Sequence, residues 1–504
     1  MTLTLSSRFD YLTVSQVYPP GLALARTAHE RCSFRRSSCQ FGRQPFIARG
    51  GNAAFAPTKP LKLASPAVAH PSSTPHTATS PAPLAGTPSF IQEMPVEILC
   101  DIFMLCHLEE RDNASTESRG ARVIISHVCR RWRHVALCMP LLWSRISATM
   151  PTEHCLPRVE TYLDRSALCP LSIRIFGDAI DTTWTERLIS SCLEHSHRWR
   201  SIRLTLSNSF QTSIPILVGQ SSFPNLEVLD LSLRGWDKQS GESLLNTFSE
   251  EAHIARLSWE WISEISFASL PFVSRLTHLN ISGLITFSDA YHILSQCSNA
   301  TVINLSQVND PEPLTALPLL TMPKLQALSL TALRPCDSLY NCINAPDLKT
   351  LTIQHYFGGL LRTRDWEPIG SFLVRSGCKL NALEFRDQTL EDGALDRLFA
   401  LPGLQTLRDL TIHQPDLSDQ TLATLSGSVG GVCLLPKLKS LVFWGLGSRD
   451  GAVAAMASVR SSLSSRGPEY CNLIRLRTHL RSSQRRDMSG LEALKSSGMD
   501  IVYA

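Results

Sequence analysis

The sequence predicts an α+β chain in which a small all-α domain precedes an α/β solenoid of irregular repeats, about 22–32 residues each. Three observations carry that reading. A charge-poor segment rich in Pro, Ala, Ser and Thr divides the N-terminal tenth from the rest. A helical hydrophobic period occupies the next sixty residues or so. A leucine pattern then recurs, always in the same direction, over the remainder.

Residues 1–88 are read as a disordered arm and linker. Residues 1–90 hold seven arginines and two lysines against Asp10 and Glu30, a net +7 in a chain of net +4, so the remaining residues are net acidic. From 52 to 89 almost no charge or large apolar side chain remains, and such a stretch buries too little surface to offset its chain entropy. The first fifty residues, Arg- and Ser-rich and poor in acids, also have the composition of an organelle transit peptide.

The helical domain is placed at 89–148. In "SFIQEMPVEILCDIFMLC", Met94, Ile98, Ile102 and Leu105 recur at helical steps, with Leu99, Phe103 and Cys106 widening the stripe. Pro95 suits a first helical turn, and Glu93 and Glu97 favour the positive end of the helix dipole. The polar stretch "HLEERDNASTESRG" leads to a second helix, "ARVIISHVCRRWRHVALCM", expected to run unbroken until Met139-Pro140 stops it.

The repeat region is placed at 149–504. Its Leu-x-x-Leu-x-Leu copies are framed on Ser201/Leu204/Leu206, Leu226/Leu229/Leu231, Ile254/Leu257/Trp259, Leu276/Leu279/Ile281 and Ala300/Ile303/Leu305, then on Leu325/Leu328/Leu330, Leu348/Leu351/Ile353, Leu380/Leu383/Phe385, Leu407/Leu410/Ile412 and Leu438/Leu441/Phe443. This is the period of leucine-rich repeats, with room for a helix in each. One strand-helix unit cannot bury its own apolar face, so neighbours must stack around a shared core. The strands "PLSIRIF" (170–176) and "GMDIVYA" (498–504) are expected to close the two ends. "SDAYHILSQC" reads as a helix capped by Ser288, and "DWEPIGSFLVRSG" as one stopped by Gly377. The position three residues past the last Leu, Asn or Cys in the best-known repeats, holds residues such as Ser209, Arg234 and Leu284, so no asparagine ladder is expected there.

Composition bounds the function. No apolar run reaches the eighteen residues a membrane span needs. Fifteen cysteines without a Cys-x-x-Cys pair suit a reduced cytoplasmic or nuclear protein, with most of them buried as small hydrophobes. There is no Walker A, Gly-x-Ser-x-Gly, His-Glu-x-x-His or strand-linked Gly-x-Gly-x-x-Gly motif, so no catalytic, metal or cofactor residue is nominated. "LSGSVGGV" (425–432) reads as a loop and "CLEHSHRWR", with His195 and His197, as polar surface. "RSSQRRDM" (481–488) and the strand-following Arg234, Lys238, Arg334 and Arg386 likewise read as solvated.

"MPVEILCDIFMLC" (94–106) followed by "VCRRWRHVALCMPLLWSRI" (128–146) resembles the F-box domain, in particular its fungal F-box-like variant. The shared features are a Leu-Pro-like start at Met94-Pro95, an acid before Ile-Leu, an Ile-Phe pair, Val-Cys-Arg-x-Trp and Pro-x-Leu-Trp. Met94 departs from the usual Leu, a nearly volume-neutral exchange. The resemblance implies a non-enzymatic substrate receptor of an SCF-type ubiquitin ligase. Its F-box would bind the Skp adaptor, and through it cullin and RING subunits, while the repeats bind a protein substrate. No nucleic-acid or membrane partner is implied. The alternative is a repeat scaffold with no ligase role. A bundle of two or three short helices cannot enclose its apolar surface alone. Met94, Pro95, Ile98, Ile102, Phe103, Val128, Cys129 and Trp132 are therefore expected to form a face that Skp partly covers, with Arg130, Arg131 and Arg133 solvated. Trp132 fits a partner contact or the core equally, and Trp143 the junction with the repeats.

Overall fold

The computed structural model describes residues 93–503, apart from 110–119, 179–181, 250–252, 261–272, 310–316, 333–335, 356–366, 387–391, 414–418, 427–433, 444–446 and 469. The expected disordered arm, Arg334 and most of the stretch 425–432 lie outside the described residues.

Four helices come first: α1 (Val96–Glu109), α2 (Ala121–Val128), α3 (Arg130–Leu137) and α4 (Pro140–Trp143). The second expected helix is thus two. Cys129 is extended, at φ −155° and ψ 172°, and its Sγ accepts from the Trp132 N–H at 3.4 Å, so it caps α3. Pro140 does more than stop a helix. It opens α4 from the first turn, where its missing N–H costs nothing.

Sixteen strands are described: β1 (Arg145–Thr149), β2 (Leu171–Gly177), β3 (Trp199–Ser207), β4 (Val228–Arg234), β5 (Arg256–Glu260), β6 (His278–Thr286), β7 (Val302–Asn309), β8 (Leu320–Thr321), β9 (Ala327–Ala332), β10 (Ile343–Asn344), β11 (Thr350–His355), β12 (Ala382–Arg386), β13 (Asp409–Ile412), β14 (Ser440–Phe443), β15 (Arg475–Thr478) and β16 (Asp500–Tyr503). Between them run α5 (Leu156–Arg165), α6 (Thr182–Leu193), α7 (Ser213–Val218), α8 (Lys238–Ser249), α9 (Phe287–Gln296) and α10 (Asp337–Cys342). They are followed by α11 (Glu367–Ser376), α12 (Asp392–Phe399), α13 (Asp419–Leu425), α14 (Ala452–Ser461) and α15 (Arg485–Ser496). Fourteen strands form one parallel sheet in sequence order, while β8 and β10 pair separately.

The register follows the leucine pattern. Ile146, Ile173, Ile202, Leu229, Leu257, Leu279 and Ile303 stand opposite one another across β1–β7. The row continues through Leu328, Leu351, Leu383, Leu410, Leu441, Leu476 and Ile501, and every member is buried. A slip of one residue would turn this row to solvent, so its burial fixes the register.

Three expectations need correction. The first repeat is framed on Trp199/Ile202/Leu204, two residues earlier than expected, because Ile202 pairs with Leu229 and Leu204 with Leu231. Strand 170–176 is not terminal: β1 precedes it and pairs with it in parallel. The cap of α9 is Thr286, whose Oγ1 accepts from the Asp289 N–H at 3.2 Å, not Ser288. Gly377 does end α11, at φ +59° with its N–H on the carbonyls of Leu373 and Val374, a conformation that favours glycine.

Candidate partner-binding face of the helical domain

The helical domain separates two apolar faces on α1. Leu99, Phe103 and His107, four residues apart, are buried, and the Phe103 ring lies 5.0 Å from Trp132. Ile125, Val135, Ala136, Leu142 and Trp143 complete this interior. The indole N–H of Trp143 donates to the Ala136 carbonyl at 2.9 Å, its ring meets Tyr162 at 5.4 Å, and the Arg165 guanidinium lies over it at 4.6 Å. Trp143 thus joins the helices to β1 and α5, and the buried core runs on from Leu99 to Ile501.

The other face of α1 is left open. Ile98 and Leu105 are 47% and 59% exposed, with the half-buried Ile102 between them, an i, i+4, i+7 stripe. On α2 a second stripe is formed by Ile124 and Val128, 57% and 55% exposed. Leu137 and Leu141 add exposed apolar side chains on α3 and α4. These exposed aliphatic side chains lie on all four helices of one small region.

Of the residues singled out from sequence, Pro95, Ile98, Val128 and Cys129 are exposed, and Met94, Ile102 and Trp132 are half-buried. Phe103 is corrected: it is fully buried and packs inward. The primary stripe is also reassigned, since Leu99 and Phe103, read as its margin, carry the core while Ile98, Ile102 and Leu105 face out. Leu105, Ile124, Leu137 and Leu141 were not nominated as contacts. Ile124 was legible, because it stands one helical turn before Val128.

Arg130 and Arg133 are exposed, as expected, although Arg133 Nε also donates to the Ser126 carbonyl at 2.8 Å; Arg131 departs from the expectation, being half-buried and donating to the Met94 carbonyl. Arg122, buried on α2, donates to the Arg145 carbonyl and stacks over Tyr162 at 4.2 Å.

Among the described residues, no three His, Cys, Asp or Glu side chains gather as metal ligands, and no helix is long and apolar enough to cross a membrane. His195 is half-buried and His197 exposed; burial, then Arg198, lowers the His195 pKa. Six of the described cysteines are buried, and the exposed ones, Cys106, Cys129 and Cys138, all belong to the helical domain. Burial pushes the thiols of Cys192 and Cys297 up to about 12 and that of Cys378 up to about 11, which keeps them protonated and poorly nucleophilic.

A family model described as F-box-like matches residues 91–149. That span covers the four helices and β1. No curated protein matches the chain.

Proposed function

We propose that this chain is a non-catalytic substrate receptor of an SCF-type ubiquitin ligase. The F-box-like domain binds the Skp adaptor through the stripes Ile98–Ile102–Leu105 and Ile124–Val128, with Pro95 and Cys129 beside them. Strands β1–β16 with their helices form a leucine-rich-repeat-like solenoid that binds a protein substrate. The observation that carries the reading is the pair of exposed aliphatic stripes inside the segment matched as F-box-like. Ubiquitin transfer then belongs to subunits in trans, and this chain contributes proximity.

The test is capture of the full-length chain by purified Skp adaptor. The full chain is required because β1, inside the matched segment, is a strand of the large sheet. Ile98→Asp combined with Val128→Asp is expected to weaken capture at least a hundredfold, since each places a charge in a desolvated contact. Val374→Asp, on an exposed apolar residue of α11, is expected to leave capture unchanged. Failure of the wild-type chain to bind would withdraw the ligase assignment and leave a repeat scaffold.

A further inference from the structure

The side chains between the two buried positions of each strand line the other face of the sheet, and along it the chemistry changes. Across β3–β7 this row is self-satisfied. Arg203 pairs with Asp230, Ser258 bonds Asp230, Asn280 Nδ2 donates to Ser258 Oγ at 3.0 Å, and Asn304 Nδ2 donates to Asn280 Oδ1 at 2.8 Å. Each polar group there already has a partner within the chain.

The same row ends differently. In register across β14, β15 and β16 stand Val442, Arg477 and Val502. Val502 is 51% exposed, Val442 half-buried, and Arg477 exposed with no ion pair among the described residues. One row over, Arg475 is neutralised by Asp500 at 2.9 Å, while Asp409 lies in the field of Arg408, Lys439 and Arg475. This end of the sheet therefore presents an unmatched cation between two aliphatic side chains, a surface whose charge complements an acidic segment.

We infer that the β14–β16 face is a docking site for an extended acidic segment of a partner protein, with a carboxylate on Arg477 and aliphatic side chains on Val442 and Val502. The Val442-to-Val502 distance is two strand spacings, roughly 10 Å, the reach of about three extended residues. A guanidinium flanked by apolar surface suits a carboxylate because it offers paired donors in a fixed plane and is weakly hydrated. This deepens the reading of the repeats as a protein-binding region and rests on it.

The experiment is fluorescence anisotropy of the full-length chain with a labelled twelve-residue peptide of alternating glutamate and valine, without adaptor, so its outcome is independent of Skp capture. Binding in the micromolar range at low salt is expected, weakening as salt rises. Arg477→Glu is expected to weaken it at least tenfold and Val502→Asp severalfold, with unchanged circular dichroism. A peptide with lysine for glutamate should fail on the wild-type chain and gain on Arg477→Glu. No binding by the wild-type chain, or equal binding by Arg477→Glu, overturns the proposal. So does a single-stranded oligonucleotide of equal charge that binds more tightly than the peptide and is lost in Arg477→Glu, which would assign the face to nucleic acid.

Discussion

Arg460 on α14 is fully buried, and its guanidinium donates to the carbonyls of Leu425, Leu434 and Leu435, the latter two at 2.7 and 2.8 Å. It ties the end of α13 to the approach to β14. Arg460→Met keeps most of the volume but leaves those carbonyls without their donor. It is expected to destabilise the protein by about 3 kcal/mol or more, read as a lower urea midpoint at unchanged slope. Asp230 behaves differently. Burial raises its pKa, and Arg203, Arg174 and Ser258 offset this only in part. A carboxyl whose folded pKa lies above its unfolded value binds its proton more tightly when folded, so its ionisation costs stability above the folded pKa, and that cost disappears as pH falls through it. Asp230→Asn is therefore expected to gain most relative to wild type near pH 7 and to lose that advantage toward pH 4, in urea unfolding at both values. Neither feature was legible beforehand, because a lone Arg or Asp in sequence does not disclose which carbonyls or cations the fold brings to it.

At the scale of elements, close approach between neighbouring segments of the chain is set at Gly403. A Cβ built there would lie 2.5 Å from the Cys378 carbonyl oxygen, while the Gly403 carbonyl accepts from the Leu380 N–H at 3.0 Å. Gly403→Ala must push two backbones apart and is expected to cost about 1–3 kcal/mol, measured by denaturant unfolding. The ten expected strands were legible because one face of each is buried, which imposes Leu-x-x-Leu-x-Leu at fixed spacing. The two unexpected strands of the large sheet follow the same frame: Trp143/Ile146/Ala148 for β1 and Leu473/Leu476/Thr478 for β15. The break between α2 and α3 was hidden because Cys129, an apolar side chain in the pattern, serves through its backbone geometry and its sulfur. Assignment of the α1 faces failed for a related reason. Both faces are aliphatic, and only the positions of α2 and α3 decide which is covered. The candidate site was thus readable as a segment, while the division of its residues into core and surface needed the packing.

At the scale of the molecule, each strand of the large sheet pairs only with its neighbours in the series, yet one buried core links Leu99 to Ile501. In such an arrangement stability is nearly a sum of unit and nearest-neighbour terms, so the effect of a core substitution depends on how many neighbours flank it. Leu351 stands in register between Leu328 and Leu383, both buried, whereas Ile501 has only Leu476 as its partner in the row. Leu351→Ala is expected to cost about 2–5 kcal/mol, and Ile501→Ala less. Amide hydrogen exchange separates this from a single all-or-none unit. In Leu351→Ala, protection should fall in β9–β12 and remain close to wild type in β1–β4. In Ile501→Ala, the loss should be confined to β15 and β16. A uniform loss over all fourteen strands in either variant would mean that the units do not open independently. The docking face at β14–β16 would then be as rigid as the centre, and its peptide would have to fit a fixed surface instead of ordering the terminal repeats as it binds.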